Sequence, residues 1–284
     1  MIETILAPLT PLFMQKAFLI TAMIAPAAAM LSCLLVLKGW SLMGDATSHA
    51  VLPGVVLAYI AGIPLIIGAF LAALFCALAT GFITSHSRIK QDTVMGVVFA
   101  GMFGFGIVIY TKIHAAVHLD HILFGNILGI DRADLLTTGW IAGIVAMILG
   151  AFWRDFLAHA FDPVQARMIG LRVGILHYGL LTILSATIVA MLSSVGIILA
   201  IAFLIAPGAI AFLLTRRFSH MMIVSVIAAL LSGMIGVYAS FWLDSAPAPT
   251  IVLVLTLMFI AALVTNNLRN AQASTSPPDN GKFQ

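Results

Sequence analysis

The sequence predicts an all-α, polytopic membrane protein with eight or nine transmembrane helices. Three observations predict it. Of 284 residues, 62% are hydrophobic and only 8% are charged, whereas a soluble domain carries roughly a quarter charged residues. Mean hydropathy is +1.17. Apolar runs recur from end to end, each near the ~20 residues that cross a hydrocarbon core of about 30 Å. Backbone N–H and C=O groups find no water in lipid, so runs of this length must be helices that satisfy those groups internally.

Broken at charges, Pro and Gly, the runs give spans at 13–37, 40–60, 63–84, 93–111, 135–159, 175–192, 195–214, 221–243 and 249–268. The first two, and the two within 175–214, lie so close that eight spans fit as well as nine. Basic residues set the orientation. With the C-terminus inside, Lys38, Arg88, Lys90, Arg154, Arg167, Arg172, Arg216, Arg217, Arg269 and Lys282 fall on the cytoplasmic side, and only Lys16, Lys112 and Arg132 fall outside. The expected location is therefore the inner, cytoplasmic membrane, with a cytoplasmic C-terminus.

Residues 1–268 are expected to form one transmembrane domain. Met1 to Pro11 lacks a basic start and holds Glu3 and two prolines, so no cleaved signal peptide is expected. The tail 269–284, RNAQASTSPPDNGKFQ, has almost nothing to bury and is expected to be disordered in the cytoplasm. Cys33 and Cys76 lie alone in separate apolar runs and read as small core residues. Gly96, Ala100 and Gly104 repeat every fourth residue, a spacing that lets helix backbones approach closely in lipid. Asp92 and Thr93, just ahead of that repeat, suit a helix N-terminus.

The stretch GDATSHAVLPG, Gly44 to Gly54, carries the most chemistry. If the second span starts near Gly39, His49 lies about 15 Å up the helix, near mid-membrane. Asp45 stacks one turn below on the same face. Ionisable groups at that depth cost at least a few kcal/mol unless paired or wet, so two on one face point to a polar pathway. Imidazole and carboxylate together suit a divalent transition ion, with no thiolate to favour soft copper. Pro53 has no N–H for the His49 carbonyl, so the helix kinks or loosens there. Two ligands hold an ion poorly, and a second copy across a two-fold axis would complete an Asp₂His₂ set. The plainer reading is a local Asp–His pair that tightens the fold.

Lys112 to Gly125, KIHAAVHLDHILFG, places His114, His118, Asp120 and His121 on the expected outer face. His114 and His118 share a helical face and could serve transient metal capture; the plainer reading is solvated histidines of an interfacial segment. In FDPVQARMIGLRVG, Asp162 can cap a short helix, Pro163 suits its first turn and Gly170 its end. Val164 and Met168 share a face, with Arg167 and Arg172 nearby. This cytoplasmic helix is either a docking element for another protein or a connector lying on the membrane. DSAPAPTIV, Asp244 to Val252, reads as an outer turn stiffened by Pro247 and Pro249. No G-x-x-x-x-G-K-[ST], H-E-x-x-H or G-x-S-x-G occurs, so neither a phosphate loop nor a familiar hydrolase site is written here.

Six blocks in order, GDATSHAVLPG, QDTVMGVVFAGMFGFG, ILFGNILG, FDPVQARMIGLRVG, VGIILAIAFLIAPGAIA and APTIVLVLTLMF, resemble the permease subunits of ABC importers for divalent metals, the manganese/iron/zinc class. The resemblance covers roughly residues 13 to 265, and DSAPAPTIV is most similar to manganese/iron members. It implies a permease pair, cytoplasmic ATPase subunits and an external metal-binding protein. No permanently bound cofactor is implied, the metal being substrate. It implies pathway roles for Asp45 and His49, and an ATPase-coupling role for the segment from Asp162 to Arg172. The histidines at 114, 118 and 121 match no family motif. Rival readings are a proton-coupled metal transporter using Asp45 and His49, and an intramembrane metalloenzyme using His114, His118 and His121.

Overall fold

The computed structural model describes residues 7–112 and 127–275. His114, His118, Asp120 and His121 lie outside the described residues. Eleven α-helices follow in order: α1 (Leu12–Lys38), α2 (Met43–Ala50), α3 (Leu52–Ala61), α4 (Leu65–His86), α5 (Gln91–Lys112), α6 (Arg132–Phe161), α7 (Pro163–Met168), α8 (Val173–Val195), α9 (Ile197–Leu214), α10 (Phe218–Trp242) and α11 (Pro247–Thr275). Short 3-10 turns at Ala7–Leu9 and Ile127–Gly129 precede α1 and α6.

Eight of these helices are long and apolar enough to cross a membrane: all but α2, α3 and α7. The remaining sequence span, 40–60, is present as α2 and α3 in series. Their break falls at Val51, two residues before Pro53, whose missing N–H leaves the His49 carbonyl without its helical partner. Val51 keeps right-handed helical dihedrals (φ −64, ψ −29), so the two pieces run on in one direction as a ninth segment. The nine apolar runs of the sequence thus correspond to eight long helices, with the 175–214 pair separate as α8 and α9, and this two-piece segment.

The hub is α1, which packs against α6, α8, α9 and α10. Its small residues explain why. Ala17, Ala25, Ala27, Ala28 and Ala29 are fully buried, and small side chains let helix backbones close on one another where lipid supplies no hydrophobic drive. Two contacts fix the fit. Ser32 Oγ donates to Ile205 O (3.1 Å) and accepts from the Gly208 N–H (3.0 Å), bridging α1 to α9 beside Pro207. A Cβ on Gly233 of α10 would strike the Thr21 methyl. Cys33 and Cys76 are free and buried, as their apolar settings predict, and Cys33 Sγ donates to Ser225 Oγ at 3.1 Å.

A second close crossing joins α3 to α4. A Cβ on Gly54 would collide with the carbonyl of Gly68, and one on Gly68 with the carbonyl of Gly54. Gly54→Ala therefore forces two backbones apart, and overpacking of this kind costs about 1–3 kcal/mol or more. The expected outcome is a lower unfolding temperature of the purified protein in detergent. Gly143→Ala, at a helical glycine with nothing within 4 Å, leaves it unchanged or slightly raised.

One boundary needs correcting. The last helix runs to Thr275, so residues 269–275, expected to be disordered, are helical. Arg269, Ala271, Gln272 and Ala273 are good helix formers, and a helix leaving the bilayer keeps its backbone bonds whether or not its side chains find a core. Pro277 is the first residue that would forbid continuation.

Candidate functional site

Asp45 and His49 face one another along α2, with His49 Nε2 at 3.4 Å from Asp45 Oδ1. It is the one contact of a carboxylate with a basic side chain within 4 Å among the described residues. The i, i+4 spacing produces it directly, since residues one turn apart stack. The side chains of His49 and Asp45 remain 30% and 44% exposed, so the pair opens onto a face of the chain instead of being sealed in its core. The opposite face of α2 anchors it: Met43, Ala46, Thr47, Ser48 and Ala50 are buried. Thr47 and Ser48 return their hydroxyls to the carbonyls of Met43 and Gly44 (2.6 and 2.7 Å), which leaves them no reach toward the pair.

The His49 ring sits beside Phe99 and Phe103 of α5, each with its centroid 5.8 Å away. These two aromatics fix one side of the imidazole and leave its Nε2 to Asp45. α5 can approach this closely because of Gly106, where a Cβ would meet Pro53 N at 2.9 Å. Thus Pro53 breaks the hydrogen-bonding of the span just past His49, and a glycine of the neighbouring helix fills the dent.

Among the described residues no third ligand joins Asp45 and His49. No group of three or more His, Cys, Asp or Glu that could hold a metal occurs among the described residues. The pair alone offers one nitrogen and a carboxylate, too few for a closed four-coordinate site. On α5, next to Phe99 and Phe103, Gly96, Ala100 and Gly104 are exposed, with nothing within 4 Å of a Cβ at Gly96 or Gly104. The small-residue repeat therefore lies open among the described residues.

At the Lys38 end of the bundle stands α7. Asp162 Oδ1 accepts from the N–H groups of Val164 (2.8 Å) and Gln165 (3.1 Å), and Pro163 opens the helix. Gly170 (φ +87) ends it, and the Leu171 N–H closes back on Ala166 O at 3.0 Å. Ala166 is buried as the anchor, whereas Val164, Met168 and Ile169 are 69%, 84% and 66% exposed. Arg167 and Arg172 are also exposed. This is an amphipathic element turned inside out: its apolar side chains point away from the bundle.

One cluster escaped the sequence reading. Lys38, Trp40, His159 and His177 meet beneath α7, with Lys38 Nζ 2.6 Å from His159 Nε2. A histidine within a hydrophobic span was the available signal. Its partners are distant in sequence, and no local spacing ties them together.

The comparisons agree with this architecture. Residues 11–266 match the ABC 3 transport family. The chelated iron transport system membrane protein YfeD of Yersinia pestis is 51% identical over 257 residues, covering 90% of this chain and 86% of that protein. The manganese transport system membrane protein MntB of a Synechocystis species is 46% identical over 258 residues, covering 90% and 84%. Among solved structures, PsaBC from Streptococcus pneumoniae in complex with Fab superposes with a TM-score of 0.81 at 32% identity, covering 92% of this chain and 95% of that one. An inward-facing putative metal-chelate type ABC transporter shares the fold at a TM-score of 0.65 and 16% identity. With its helices, their order and most of its length accounted for, the chain belongs to the ABC 3 transport family, as one of its membrane permeases.

Proposed function

We propose that this chain is the membrane-spanning subunit of an ATP-driven importer that carries divalent transition-metal ions, Mn²⁺ or Fe²⁺ and within the same ligand chemistry Zn²⁺, across the inner membrane by alternating access. The observation that carries the reading is the Asp45–His49 pair, held at 3.4 Å on an open face of a span whose hydrogen-bonding is interrupted one turn later. An oxygen and a nitrogen donor suit these ions, which differ in geometry more than in ligand preference. The iron and manganese transport proteins similar to this chain support the same substrate class.

The pathway is completed by a second permease, identical or related. The unpacked Gly96, Ala100 and Gly104 face of α5 adjoins His49 through Phe99 and Phe103, so a partner seated there brings its own Asp–His pair towards this one. Two incomplete pairs then make a set that binds a passing cation without trapping it. An external metal-binding protein delivers the ion, and a cytoplasmic ATPase docks on α7. Hydrolysis belongs to that partner, and the permease itself is not an enzyme. The C-terminus lies in the cytoplasm, on the basic side.

The test is reconstitution of permease and ATPase in vesicles with the external binding protein. Mn²⁺ or Fe²⁺ accumulation that requires ATP is the expected result. Accumulation driven by a proton gradient in vesicles holding the permease alone would refute the proposal in favour of a secondary transporter.

A further inference from the structure

Four side chains close a ring at the end of the bundle that carries α7. Lys38 Nζ lies 2.6 Å from His159 Nε2 and 4.0 Å from the centre of the Trp40 indole. Trp40 meets His177 edge-on with ring centroids 5.4 Å apart, and His177 meets His159 likewise at 5.8 Å. His159 and Trp40 are almost fully buried. An ammonium can only donate, so His159 offers Lys38 the lone pair of Nε2 and carries its proton on Nδ1. That Nδ1 is buried with no hydrogen-bond partner. No carboxylate stands within ion-pairing distance of Lys38 among the described residues. Its charge rests on an imidazole lone pair and an aromatic face. A half-buried cation with neutral partners and an orphaned imidazole N–H is a poor arrangement for stability alone, and groups placed at such cost are commonly functional.

The positions of the four residues indicate what the ring does. Lys38 ends α1, and Trp40 is locked in the turn to α2: its N–H donates to Leu35 O (2.8 Å) and its carbonyl accepts from Met43 N–H (2.9 Å). Asp45 follows on α2. His159 precedes Asp162, the cap of α7, by three residues, and His177 lies near the start of α8, into which α7 leads. The ring thus ties both stems of α7 to the joint that aims the Asp45–His49 pair. α6 and α8 are also tied deeper in the bundle, where the Thr138 and Ser194 hydroxyls stand 2.6 Å apart. It is the Lys38–His159 contact and the cation held over the indole face, however, that fix distance and direction between α1 and the stem of α7.

We propose that Lys38, Trp40, His159 and His177 are positioning residues that carry displacement of α7 to α2, and so couple ATP hydrolysis to exposure of the metal pair. This rests on the reading of α7 as the ATPase dock. The test uses the assembled transporter in vesicles, with ATP hydrolysis and Mn²⁺ uptake measured on the same sample. Lys38→Met, Trp40→Leu and His159→Phe should each lower uptake per ATP by roughly 10-fold, as loss of one coupling contact does. ATPase should co-purify as before and hydrolyse at its usual rate. Lys38→Arg, which keeps the cation over the indole, should restore most of the ratio. Unchanged uptake per ATP in the assembled variants would overturn the proposal, as would failure of all three to assemble, which would make the ring a folding element. Met168→Asp separates the two readings. ATPase retained by that variant refutes docking at α7, whereas an unchanged ratio with docking intact refutes the ring alone.

Discussion

Substituting Asp45→Asn or His49→Ala in the assembled transporter should lower divalent-metal uptake by at least about 10- to 100-fold, the loss seen when even the outer supports of a metal site are removed. Asparagine keeps the size of Asp45 and removes its charge. A transition-metal dication leaving water then loses its anionic partner at a depth where little else compensates. Alanine at 49 removes the nitrogen donor and also leaves Phe99 and Phe103 without the ring they flank. Neither change should unfold the protein, because both side chains are partly exposed and the buried face of α2 is untouched. The check is metal uptake at matched amounts of intact complex. Wild-type uptake by both variants would remove Asp45 and His49 from the pathway and leave them a local helix-stacking pair.

The second large effect is expected at α7. Met168→Asp should abolish ATPase co-purification and with it all ATP-dependent uptake. Met168 is 84% exposed and Val164 69%, large apolar side chains on the side that the proposed orientation puts in the cytoplasm. Lipid alone is a poor fit for them, since Arg167 stands within their six-residue helix and Asp162 caps it. A partner groove fits better, and truncating or charging the central apolar anchor of an interface typically costs ≥ ~2 kcal/mol, about a 30-fold loss of affinity. The permease itself should fold normally, because nothing in the bundle packs on that side chain. Pull-down of the ATPase with purified variant permease reads the outcome, and undiminished recovery would mean that α7 is only a connector.

Much of this was legible in the chain itself, for identifiable reasons. Spans were readable because lipid imposes one demand on every residue of a run, and the Val51 break was readable because Pro53 lacks a single hydrogen atom. The Asp162 cap, the Pro163 start and the Gly170 stop are local chemistry, and local chemistry needs no tertiary knowledge. The Lys38–His159 contact joins residues 121 positions apart, and no periodicity encodes such a meeting. It had to be seen in the packing. The helical stretch 269–275 is not legible from hydrophobicity, because Arg, Ala and Gln sustain a helix without a core. The roles of Asp45 and His49 rest on motif and geometry together: the sequence implied that they stack, and the packing adds the open face and the flanking aromatics.

The reciprocal contact of Gly54 and Gly68 has a mechanical corollary. Each helix occupies the notch where the other would carry a methyl, so neither can ratchet along its neighbour by a turn without a side chain meeting a carbonyl. The pair α3–α4 is keyed together like two halves of a clasp. Any tilting of the half-bundle beyond Val51 must then swing both members as a single blade, with the step between α2 and α3, where Pro53 offers the His49 carbonyl no N–H, as its pivot.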